Sequence, residues 1–173
     1  GVVKRLGKKF PKDLLGLPFR IDYIVRVPRY SDLTIDGGKG DLQVAGVDGT
    51  IKVNFLDSNA KFDLLGGALM ATLGGGTVDV TIPTRSWRGR FADISLASGT
   101  MNVVLPPSLN AELDATILKS GKIDNTYPDM KPRTRSEPFS EKSIVAKAGN
   151  GGIPLKFTVG DGTLNISPQR KNQ

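Results

Sequence analysis

Residues 32–55 read DLTIDGGKGDLQVAGVDGTIKVNF, and their punctuation decides the class of fold. Apolar and polar residues alternate in short runs, each closed by a glycine-bearing turn. Leu42 and Val44 recur nine residues later as Ile51 and Val53, and farther on Leu69 and Ala71 recur at the same step as Val78 and Val80. Strict alternation puts one set of side chains on one face of a β-strand. A turn repeated at nearly fixed spacing predicts short strands stacked rung upon rung, because one such strand cannot bury its apolar face alone.

The pattern extends in both directions. Residues 60–82, AKFDLLGGALMATLGGGTVDVTI, and 91–105, FADISLASGTMNVVL, continue it, and Leu109, Ala111, Leu113, Ala115 and Ile117 mark the longest alternating strand. Upstream, Arg20–Val27 alternates and stops at Pro28, which has no N–H to give to a ladder. Downstream, 125–142 (NTYPDMKPRTRSEPFSEK) breaks the regularity and is expected to project as a loop. Strands resume around Ile144, Leu155, Phe157, Val159, Leu164 and Ile166. No segment has helical periodicity. The expected fold is all-β, a solenoid of short Gly-turned strands, with a β-sandwich as the alternative. About seven rungs at ~4.8 Å would make a body near 35 Å long. Its expected organisation is a basic lead-in or cap at 1–19, a single solenoid domain at 20–168 and a tail at 169–173.

Composition narrows the chemistry. Glycine is abundant at 21 of 173 residues while aromatics make up 6%, which fits many tight turns. Cysteine and histidine are both absent, so disulfides, thiol chemistry and any imidazole base or ligand are excluded. The net charge is +7, and eight basic residues fall within the first 30 positions against Asp13 and Asp22. Such an arm suits an acidic polymer or anionic lipid, or serves as a solvated end-cap. No apolar run reaches the ~18 residues of a membrane helix, and Val2 and Val3 are too short for a signal core. The first residue is Gly1, from which processing or truncation ahead of it is expected.

VPRYSDLTIDGGKGDLQVAGVDGTIKV (residues 27–53) resembles the opening of the bacterial adhesin-like domains called toastrack domains. LPPSLNAELDATILKSGKI looks like their later strand and Ser-Gly turn, and GNGGIPLKFTVGDGTLNISP is similar to their closing strands. The likeness covers about residues 20–168. It departs from the family repeat at Asp57–Gly67 and at TRSWRGR (84–90). The resemblance implies a right-handed β-helix-like solenoid, exported to the periplasm or cell surface and acting in adhesion, scaffolding or envelope sensing, with no catalytic residues to carry over.

Few residues suggest chemistry. Asp36, Asp41, Asp48, Asp63, Asp79 and Asp93 are spread one per strand or turn, as turn caps or as an outward ladder. Gly37–Asp41 brings its Asp one place too early for a calcium β-roll turn, and Gly74–Gly76 lacks the Lys-Ser/Thr of a phosphate loop. No metal or other cofactor is expected. The most suggestive cluster is Arg85, Trp87, Arg88 and Arg90: an exposed Trp between arginines would stack on a sugar or a base, or anchor a protein, whereas a Trp folded over the solenoid edge would only shield it. The sequence therefore points to a non-enzymatic binding or scaffolding module of the bacterial envelope, contacting an envelope glycan or a surface protein. Nucleic acid is disfavoured for want of a reading module. The rivals are a polysaccharide-acting β-helix enzyme and a structural self-assembler, and the oligomeric state is left open.

Overall fold

A computed structural model describes residues 22–83, 87–134 and 139–169. The expected lead-in at 1–19, Arg85 and residues 170–173 lie outside them. The chain is all-β. Four long strands, β1 (Leu33–Ala45), β2 (Thr50–Asp63), β3 (Gly66–Thr81) and β4 (Arg88–Leu105), follow one another as parallel neighbours. Leu33 pairs with Ile51 and Ile51 with Leu69, so the pairing step is 18 residues, twice the interval seen in the sequence.

The doubling has a simple cause. In β3, after the buried Gly66–Ala68, burial alternates at Leu69, Ala71 and Leu73 and then at Val78 and Val80, so the phase slips by one midway. Both sets can face one interior only if the strand turns a corner between them. Each long strand is thus a rung with two facing halves, and the nine-residue step is half a rung. Leu42 stacks on Ala60, not on Ile51.

The corner is built by a column of small residues in register: Gly40, Ser58, Gly76, Gly99, Gly162 and Gly121. Its glycines have φ between +109° and +150°, a region closed to residues with a Cβ. A Cβ on Gly162 would lie 1.8 Å from the carbonyl oxygen of Gly99. Backbone passes backbone here with no room for a side chain.

Beyond β4 the chain leaves sequential order. It passes Pro106 and Pro107, skips a level, and forms β5 (Ala111–Ile117) and β6 (Gly121–Asn125), the two halves of one rung. The vacant level is filled last, by β9 (Ile153–Pro168), which pairs in parallel with β4 on one side and with β5 and β6 on the other. Its Phe157, Val159 and Leu164 are completely buried. Between them, β7 (Met130–Pro132) and β8 (Ser143–Ala148) add antiparallel strands over β5. One face therefore has eight strands and the other six. Eight strands at ~4.8 Å per step span about 34 Å.

Two sequence expectations change. Residues 125–142 do not simply project: they contain the end of β6 and all of β7, and Tyr127 is buried, donating to the carbonyl of Pro106 (2.8 Å) and accepting from the N–H of Leu109 (3.3 Å). Nor do residues 22–28 form a strand; Tyr23, Ile24 and Val25 are about four-fifths exposed. The hydrogen bond from the N–H of Asp48 to the carbonyl of Arg29 (2.7 Å) continues the 18-residue register. Extended upstream, that register would set Arg26 over the buried Val44, and an unpaired charge in the core is prohibitive.

Candidate functional site

Trp87 does not offer an exposed ring. It is 5% exposed and belongs to the core cluster. From β3 to β4 the pairing step grows to 22 residues and then 23, with a bulge opposite Gly67–Ala68. The indole fills the added space and lies on Gly89, where a Cβ would sit 2.0 Å from the ring. Arg90 is the extra residue of the bulge, and its guanidinium donates to Thr50 Oγ1 (2.8 Å). The N–H of Thr50 in turn donates to Asp32 (2.6 Å), and this bond, helped by the nearby charges of Arg90 and Lys52, holds the Asp32 carboxyl below its ordinary value. Arg90 is thus tied to Thr50, Arg88 is exposed, and the buried Trp87 presents no open ring between them.

Several aspartates are also accounted for structurally. Asp36 accepts from Asn54 (2.8 Å), Asp41 from Asn59 (3.1 Å), and Asp79 from Asn102 (2.8 Å), whose own amide oxygen accepts from Asn165 (2.8 Å). In-register side chains one rung apart make such ladders, the parallel counterpart of cross-strand pairing. These carboxylates brace the outer faces and do not converge. Among the described residues no three acidic side chains gather as a cation site.

A different feature emerges at the glycine corner. A shallow open groove of about 660 Å³ has Gly74, Gly75 and Ser98 in its floor and Leu56, Asp57 and Lys39 along one side. In register, Lys39 stands beside Asp57, and Gly75 beside Ser98, followed by Asp161. The outer corner therefore runs Lys39, Asp57, Gly75, Ser98, Asp161, with Lys119 alongside the last. Lys39 pairs with Asp57 at 3.8 Å and Lys119 with Asp161 at 3.9 Å. Leu56 and Leu118, 71% and 65% exposed, stand next to the two pairs.

The middle two rungs are bare because Gly75 and Ser98 bring almost no side chain, while the rungs on either side carry a lysine–aspartate pair and a leucine. Exposed ion pairs of this kind add little stability. Their use is to mark the two ends of the bare stretch. Asp57 and Asp161 are three rungs apart, about 14 Å at ~4.8 Å per rung. Nothing in the alternation pattern foretells this groove, because its lining comes from four separate strands, β1 to β4. Only the repeated glycine runs hinted at a place where backbone is exposed.

Compared with known proteins, the chain matches no family model, no curated protein and no solved structure.

Proposed function

We propose that the protein is a non-enzymatic binding and scaffolding module of the bacterial envelope or cell surface, with the glycine-corner groove as its contact for an extended envelope glycan. The observation that carries this reading is the bare Gly75–Ser98 floor closed at each end by a lysine–aspartate pair. An open trough along the solenoid axis suits a polymer that enters and leaves it better than a small substrate held in a closed pocket. Its carboxylates can accept from sugar hydroxyls at two separated points, and Leu56 and Leu118 offer apolar contact at the margins. The toastrack-like sequence pattern points the same way.

The polysaccharide-cleaving alternative is less well supported. Glycosidic hydrolysis needs two carboxyl groups about 5–9.5 Å apart, whereas Asp57 and Asp161 stand about 14 Å apart and each already faces a lysine.

A binding screen against glycan and envelope-polymer arrays tests the proposal, with Gly75→Leu as the decisive variant. Gly75 is free of the positive-φ constraint, and a Cβ there meets nothing closer than 3.6 Å. The variant should fold normally and fill the groove. Saturable binding by the native protein that falls at least tenfold in Gly75→Leu is the expected result. Binding unchanged by the variant, or no glycan binding at all, overturns it.

A further inference from the structure

The two ends of the solenoid are unlike. At the far end, β8 and β7 cover β5, and Pro132 leaves β7 without one of its edge donors. The N–H of Ile117, at the end of β5, donates to the carbonyl of Lys142 (2.8 Å) and that of Ile123, on β6, to Glu141 (2.7 Å), so a return segment runs against both halves of the last rung. At the near end, β1 pairs with β2 on one side, and among the described residues no strand pairs with its other edge. Leu33, Ile35 and Leu42 are only half-buried, whereas their partners on the next rung, Ile51, Val53 and Ala60, are buried. A 13-residue edge with an apolar cross-section behind it is a template for another strand.

The sequence of β1 says which strand fits. LTIDGGKGDLQV, Leu33–Val44, is nearly palindromic about its centre between Gly38 and Lys39. Leu33 mirrors Val44, Ile35 mirrors Leu42, Asp36 mirrors Asp41, and Gly37 mirrors Gly40. A two-fold axis through this corner would run one β1 antiparallel to another. Every inward apolar residue would then meet an inward apolar residue, and the two corners would coincide. From this we infer that the β1 edge docks a second copy of the same chain, making a closed dimer in which two solenoids share one continuous core.

The edge left at the far end is only the three-residue β7, too short to template further growth, so the association stops at two. An isologous contact uses the same patch on both subunits and leaves no further edge to grow from. The facing pair Asp36 and Asp41 sits outside, where each carboxylate already accepts from an asparagine amide, so their repulsion weakens the dimer without blocking it. This inference does not depend on the groove, whose floor at Gly75 and Ser98 lies on β3 and β4, away from the β1 edge.

The chain has no cysteine, so cross-linking can test both the partner and the register. In the two-fold pairing, Thr34 of one copy lies opposite Gln43 of the other, both on the outer face. Directly opposed β-carbons lie within disulfide reach, about 4.5–5.5 Å against an ideal near 4 Å. Thr34→Cys and Gln43→Cys are made separately, oxidised alone and as a mixture, and run on non-reducing gels beside sedimentation equilibrium of the native chain. The expected result is a dimer in solution and a cross-linked dimer abundant only in the mixture. Adding an inward charge at the edge, Leu42→Lys, should return the chain to monomer while a native spectrum is kept. A monomer at every concentration, as when the chain's own upstream segment fills the edge, overturns the inference. So do larger polymers, or cross-linking of either single variant alone to the same extent as the mixture.

Discussion

Three glycine-to-alanine substitutions separate the forces that shape the corner. Gly75 is outside the left-handed region, and its nearest neighbour to a new Cβ is Asp57 Oδ1 at 3.6 Å, an ordinary contact. Alanine there removes freedom from the unfolded chain and should raise stability by about 0.4–1 kcal/mol. Gly40 has φ +150° with open space around it, so alanine there meets only backbone strain, about 1–3 kcal/mol. Gly162 has φ +143° and its new Cβ would sit 1.8 Å from the Gly99 carbonyl oxygen. That variant carries the same strain together with an overpacking cost of about 1–3 kcal/mol. A loss of about 2–6 kcal/mol follows for Gly162→Ala. Urea unfolding followed by the fluorescence of Trp87, the chain's one tryptophan and buried in the fold, measures all three. The order of stability should be Gly75→Ala, native, Gly40→Ala, Gly162→Ala. If Gly162→Ala is no less stable than Gly40→Ala, rungs do not touch backbone to backbone at this corner. If Gly75→Ala falls with them, the groove floor is not open space.

Two further outcomes follow from the fold. Burial pushes the Tyr127 phenol above its ordinary value of 10.0, with Asp129 adding to the shift and the Leu109 N–H opposing it. Since the folded state holds this proton more tightly than the unfolded state, the contribution is fully present below pH 10.0 and is lost as pH rises through the folded value. Denaturation midpoints of the native chain should fall across that alkaline window more steeply than those of Tyr127→Phe. The variant itself should lose about 1–2 kcal/mol near neutrality, because the buried Pro106 carbonyl loses its donor. Equal slopes would show that the phenol is open to water. Separately, ending the chain after Asn150 removes β9 and leaves β4 and β5 two rungs apart with nothing between them. Circular dichroism should show no cooperative transition for residues 1–150, and a sharp melt would mean that β9 is an accessory strand.

The strand-by-strand alternation was written in the sequence, since inward Val, Leu and Ile must recur every second residue for a strand to bury one face. The glycines at positive φ were legible as well, but as turns between short strands, whereas they are corners inside continuous long ones. From these alone the all-β class and most of the core were legible, including Val78, Val80, Ile94, Met101 and Leu164. The absence of histidine and cysteine likewise narrowed the chemistry before any coordinates. The sequence did not say which strand lies beside which. The nine-residue echo of Leu42 in Ile51 is equally consistent with neighbours and with opposite walls, and only the phase slip at each corner made them opposite walls. Nor could periodicity place β9 between β4 and β5, because every rung offers the same kind of edge and any of them could accept it. That choice rests on long-range closure: β5 and β6 leave one level vacant, and Ile153–Pro168 is the segment that fills it. The same closure sets Lys39, Asp57, Gly75, Ser98, Asp161 and Lys119 in one row along the corner. It also turns Trp87 inward, because the longer step from β3 to β4, with Gly89 beneath it, left a space that an indole fills.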